Sequence, residues 1–237
     1  MISNSQNRAL LMVAALAKKN SLWIDYADYC MMREQGLRKQ SFEKLHLFIN
    51  KFKSFTIDHQ IEFVNFIYEL AESVKDADYG PLPQPLTIEL KKVLLIWVEK
   101  EKINSKPFRW LGKYFYEYGC DYLDKALEIN PQDDKARSLI INRLLRAINY
   151  STHHLPDYYI DNPQDDLHDA EIAKQHIEKL VEERIKKYWA KALIDVLALV
   201  HSYVDWENSK TQIDFQTWAK QNNREFDSGV KTCYYNK

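Results

Sequence analysis

Apolar residues recur at intervals of three and four along most of the chain, the spacing that gathers them on one face of an α-helix. In 41–53, Phe42, Leu45, Phe48/Ile49 and Phe52 share such a face. In the next segment Phe63, Ile67, Leu70 and Val74 follow i, i+4, i+7 and i+11 from a start that Asp58 is placed to cap. The stripe returns as Leu86, Leu90, Val93/Leu94 and Trp97, and again over 133–151 as Ala136, Leu139/Ile140, Leu144 and Ile148. The most apolar stretch is 187–206. Its Trp189, Leu193, Val196/Leu197, Val200 and Val204 predict a helix buried against several partners. No segment alternates with period two between turn signals, so no sheet is predicted. The pattern specifies an all-α chain, an irregular array of about nine to ten helices.

The punctuation residues refine this organisation. Only 5 glycines occur in 237 residues, Gly36, Gly80, Gly112, Gly119 and Gly229, against about 7% in average usage. No G-x-G can be written, so the dinucleotide fingerprint is absent. The Walker A loop and the G-x-S-x-G nucleophile elbow fail for want of paired glycines too. Gly36 sits where a helix ending near 35 needs a C-cap. All 7 prolines fall between 81 and 163, and three of them alternate at 81, 83 and 85. Such a run is extended and lacks amide donors, which suits a hinge or a rigid connection equally. The expected organisation is a four-helix segment over 1–78, a proline-rich connection over 79–86, a helical region over 87–223 and a tail over 224–237. One continuous domain fits the same pattern.

Charge is balanced overall, with 33 basic and 34 acidic side chains, which gives no global field to steer nucleic acid. Locally, 1–55 carries nine Lys/Arg against four Asp/Glu, and 161–183 carries eight acids against two lysines. Opposed solvated faces on neighbouring helices account for this, and nucleic acid is not an expected partner. Cys30, Cys120 and Cys233 lie far apart without a C-x-x-C, which fits a reducing compartment and a buried, inert Cys30. The longest apolar run, 9–17, is too short to cross a bilayer and continues into Lys18 and Lys19. No membrane association and a cytoplasmic location are expected.

Asn-Pro-Gln-Asp-Asp occurs at 130–134 and again at 162–166. Proline closes one element there, and acids enter the first turn of the next, where they oppose the helix dipole. The stretch 125–136, K-A-L-E-I-N-P-Q-D-D-K-A, resembles the junction between two tetratricopeptide repeats. The resemblance places Ala126 at the tight helix contact and Pro131 at the close of the hairpin. Trp110-Leu111-Gly112 with Tyr114 is similar to the family's W-L-G-Y positions, at a compressed spacing. It covers about 106–140 and implies a stack of helix pairs whose concave face binds another polypeptide.

The candidate chemistry concentrates in 149–160, N-Y-S-T-H-H-L-P-D-Y-Y-I, at a helix end and its following loop. Histidines there suit the helix dipole and its free carbonyls, and tyrosines bridge wet and dry surfaces. The functional alternative is a polar-aromatic pocket built on Tyr150, His153, His154, Asp157 and Tyr158. Adjacent histidines on a helix diverge by about 100°, so no metal site is expected there, and no cofactor is implied. Trp110, Tyr114 and Tyr118 recur every four residues. That spacing means interhelical packing or, less often, an aromatic groove for a partner peptide. The single E-x-x-H at 43–46 reads as a solvated helix face. Together these features point to a non-enzymatic protein–protein interaction module of the helical-repeat type. A narrower version is an antidote or immunity-like protein whose acidic patches mask another protein. The alternative is an enzyme or small-ligand sensor with His153 and His154 as acid/base groups beside Asp157.

Overall fold

The structure, a computed structural model, describes residues 4–73 and 81–224. Among these residues there are eleven α-helices and no strand, one or two helices more than the periodicity predicts. None of these helices is long and apolar enough to cross a membrane. The chain divides into two compact units between Tyr118 and Gly119.

The first unit holds α1 (Asn4–Ala17), α2 (Ile24–Glu34), α3 (Arg38–Phe52), α4 (Ile57–Ser73), α5 (Gln84–Lys100) and α6 (Ser105–Tyr114). Gly36 stands between α2 and α3 at φ 77°, a left-handed conformation that glycine adopts without steric cost. The amides of Gly36 and Leu37 turn back to the carbonyls of Arg33 and Met32, satisfying the end of α2. Asp58 falls inside the first turn of α4, not at its cap. The Thr56 hydroxyl takes the capping role, 3.4 Å from the His59 amide, and Asp58 pairs with Lys100 instead.

The core of this unit is aromatic. Phe63 of α4 is fully buried, with ring centroids 4.7 Å from Phe48, 5.0 Å from Tyr26, 5.4 Å from Trp23 and 5.5 Å from Phe52. Cys30 lies on the same floor, and burial pushes its thiol up to about 12, so it is not a nucleophile at neutral pH. The described part of the proline stretch belongs to this unit. Residues 81–83 are buried, the Tyr26 hydroxyl donates to the Pro81 carbonyl at 2.6 Å, and Pro85 sits in the first turn of α5. At the α4–α6 contact the Arg109 guanidinium meets the Glu72 carboxylate through two bonds of 3.0 Å, both side chains nearly excluded from water.

The second unit holds α7 (Gly119–Ile129), α8 (Asp134–Thr152), α9 (Pro163–Glu178), α10 (Glu183–Ser209) and α11 (Phe215–Gln221). Consecutive helices pack in order, and α10 also packs on α8. Ala170 and Ala173 let α9 approach the Ile141, Leu145, Ile148 and Leu193 side chains closely. The repeated pentapeptide makes the same local turn twice. Asn130 accepts from the Gln132 amide and Asn162 from the Gln164 amide, each at 3.1 Å. The helices then start in different registers. Asp133 caps α8, whereas Asn162 caps α9 and Pro163 begins it. Asp134 is thereby released to hold the Val181 and Glu182 amides at the entry to α10.

As the stripe over 187–206 predicts, α10 packs against several partners, α8, α9 and α11, with Trp189, Val196, Leu197 and Val204 packed on the core that holds Leu193 and Val200. In α10 only Leu193, Val200 and Ser202 are fully buried, and Tyr188 and Ile194 are 65% and 67% exposed. Helices α8, α9 and α11 cover one face, and the other carries Lys187, Lys191, Asp195, His201 and Asp205 with Tyr188, Ile194 and Ala198 among them.

Candidate functional site

The end of α8 divides its side chains between an inward and an outward set. Ser151, Thr152 and Leu155 are buried, while Tyr150, His153, His154, Asp157 and Tyr158 are exposed. The Ile160 amide donates to the Ser151 carbonyl at 2.9 Å, closing the following loop onto the helix end. Leu155 then packs against Phe215 and Ala219, with Tyr159, Tyr203 and Trp206 around them.

Beneath the loop lies a buried polar knot. The Tyr159 hydroxyl donates to Asp166 Oδ2 at 2.5 Å, and Ser151 Oγ lies 3.2 Å from Asp166 Oδ1. Burial raises the Asp166 carboxyl above the usual carboxylate range, and the two hydroxyl donors pull it back in part. Burial and the adjacent Asp166 carboxylate together raise Tyr159, so its phenol stays protonated and donating. In the sequence Asp166 has a sufficient role as a dipole-compensating acid in a first turn, and Ser151 and Tyr159 carry no signal of their own. The available signal was the density of hydroxyls within fifteen residues of one aspartate.

The raised Asp166 value carries a sign. An acid with a raised folded-state pKa binds its proton more tightly in the folded chain. Its contribution to stability is therefore fully present below the unfolded value of about 3.9 and is lost as pH rises through the folded value. Asp166→Asn keeps an acceptor for Tyr159 and a group for Ser151 while abolishing ionisation. We expect the urea stability of this variant, relative to the wild type, to rise as pH increases above about 4, with a change at neutral pH of no more than about 1 kcal/mol. A difference between the two proteins that stays constant with pH would show that Asp166 keeps its ordinary titration in the folded chain.

On the outer side, four rings form a ladder. Tyr150 and His153 lie 5.1 Å apart between centroids, His153 and His154 4.0 Å, and His154 and Tyr158 4.8 Å with planes within 16°. His153 donates from Nδ1 to the Tyr150 carbonyl at 2.5 Å, which fixes its ring across the helix end. Tyr150 and Tyr158, at 64% and 53% exposure, terminate the ladder. An acid/base pocket requires these groups to converge on an enclosed cavity. They stand instead in a row on the surface, with Asp157 beside them. Among the described residues no group of three or more His, Cys, Asp or Glu is placed to hold a metal ion.

The other candidates sit in the first unit. Trp110 is wholly buried, 5.3 Å from Tyr68 and 6.0 Å from Trp97. Tyr114 packs on Tyr68 at 4.9 Å, and Tyr118 is half-buried with the Lys91 ammonium 5.0 Å from its ring. Trp110 is thus a packing residue, as its spacing favours, and it offers no anchor to a partner. Glu43 and His46 are exposed on α3.

Comparison of the chain with protein-family profiles, with curated proteins and with solved structures gives no match.

Proposed function

We propose that this chain is a cytoplasmic, non-enzymatic module of the helical-repeat type, akin to tetratricopeptide proteins, that binds another protein or peptide. Its contact surface is the Tyr150–His153–His154–Tyr158 ladder. One observation carries the proposal: four contiguous rings are exposed together on a base pinned by Ser151, Leu155, Tyr159 and Asp166. Exposed rings that are already immobilised lose little entropy on binding, and large aromatic side chains dominate interface energies. The buried Ala126 ahead of the 130–134 turn supports the repeat-like reading. The acids of 161–183 directly follow the ladder, which suits a basic partner face and the narrower antidote role.

The test is photo-crosslinking from position 158, paired with capture by the wild type and by a Tyr150→Ser/His154→Ser/Tyr158→Ser variant. A stoichiometric partner should crosslink at 158, and the variant should weaken its binding at least about tenfold. A partner held equally by both proteins would move the interface away from the ladder. Failure to recover any stoichiometric partner at low salt would count against the binding role itself.

A further inference from the structure

The uncovered face of α10 carries a regular order of its own. Lys187, Lys191, Ile194, Ala198, His201 and Asp205 are all exposed, and they follow one another at spacings of four, three, four, three and four. That is the 3.5-residue period of a helix–helix seam. Its centre is apolar, Ile194 being 67% exposed beside Ala198, with Tyr188 at 65% flanking it. Its ends differ in sign. The N-terminal half holds Arg184, Lys186, Lys187 and Lys191 against Glu183 and Asp195, and the C-terminal half holds Asp205 and Glu207 with no Lys or Arg. Glu182 and Glu183 open the helix as its dipole favours, but the last turn holds Glu207 and no base, which the dipole disfavours. Stabilisation of α10 itself therefore does not explain the acidic end.

We infer that this face pairs two copies of the chain through antiparallel α10 helices about a two-fold axis at the level of Val196. In that register Lys187 faces the second copy's Asp205, Lys191 faces its His201, and Ile194 faces its Ala198. Symmetry makes each contact twice, as an isologous interface demands. A groove of about 810 Å³ runs beside the acidic half, walled by Asn149 of α8 and Arg224 beyond α11. It receives the basic half of the second copy's α10. Asp205 already holds Arg224, and a carboxylate has acceptor capacity for a lysine as well. The surface is distinct from the aromatic ladder, and the inference does not depend on the function proposed for it.

Sedimentation equilibrium of the full chain over a concentration series tests this directly, with helicity checked by circular dichroism. The wild type should form a reversible dimer, and Ile194→Glu or Ala198→Glu should raise its dissociation constant at least about tenfold. Both positions are exposed, so neither change threatens folding. Lys187→Glu should weaken the dimer, and adding Asp205→Lys should restore it. A wild type that stays monomeric throughout overturns the inference. So does a dimer that Ile194→Glu leaves intact, or a folded charge-swapped variant that does not re-associate.

Discussion

Replacing Glu72 with alanine is expected to cost the first unit about 3–5 kcal/mol, read as a shift in the urea midpoint followed by tryptophan fluorescence. Arg109 meets Glu72 in a fork, Nε to Oε1 and Nη2 to Oε2, each at 3.0 Å. The side chains are only 8% and 4% exposed. Removing the carboxylate leaves a guanidinium that cannot shed its proton in a site built to exclude water. The reverse change is milder for a chemical reason. Arg109→Met strands a carboxylate, which can neutralise itself by taking up a proton. Its cost should therefore shrink as pH falls from 7 towards 5, while the cost of Glu72→Ala should not shrink over that range. Replacing both partners by apolar residues should recover much of the loss, because a desolvated ion pair contributes little net stability against well-packed hydrocarbon. A domain has about 5–15 kcal/mol in total, so the single change removes a large share of it. A Glu72→Ala loss below about 1 kcal/mol would mean that water or another group satisfies the guanidinium in place of Glu72.

The helices were legible because period and punctuation agree. The stripe over 133–151 becomes α8 within one residue at each end, and Gly36 ends α2 in the conformation that only its missing Cβ makes easy. What the pattern could not carry was the identity of the neighbours. The stripe over 187–206 does meet several helices, and these are α8, α9 and α11. Tyr188 and Ile194 lie outside that stripe and are exposed, so apolar character alone does not mark the buried face. The prolines at 81–85 posed a similar ambiguity, since the same chemistry starts a helix and makes a hinge. The Tyr26 hydroxyl, 55 positions away, settles where the described part of that segment packs.

The site shows the same boundary between local and distant causes. Crowding of rings over 150–158 was visible, and so was the pull of a helix end on His153, which does bond the Tyr150 carbonyl. The inward or outward choice at each position was not visible, because it is set by which residues Leu155 and Tyr159 find beneath the loop. Phe215 and Tyr203 supply that base from far along the chain. Asp166 was hidden for the opposite reason. An acid in a first turn already has a sufficient local explanation, so nothing in the sequence called for a buried one.

The second large effect is expected at Phe63, where alanine should cost about 3–5 kcal/mol. Its ring is wholly buried and is flanked by Trp23, Tyr26, Phe48 and Phe52, drawn from α2, α3 and the turn between α1 and α2. Flat rings in edge and tilted contact cannot flow into the vacated volume as flexible aliphatic chains do, so the cavity penalty stays near its full size. Phe66→Ala should cost clearly less. That ring is only half-buried and stacks mainly on Trp23, at 4.7 Å. Phe63→Leu should fall between the two, since it retains most of the apolar volume. Both Phe63 and Glu72 lie on α4, roughly 13 Å apart along its axis. Their losses should add to within about 0.5 kcal/mol, which takes Phe63→Ala/Glu72→Ala to the limit of what a unit of this size can lose and stay folded. A sum that falls well short would show that the aromatic core and the ion pair fail together, as one cooperative element running the length of α4.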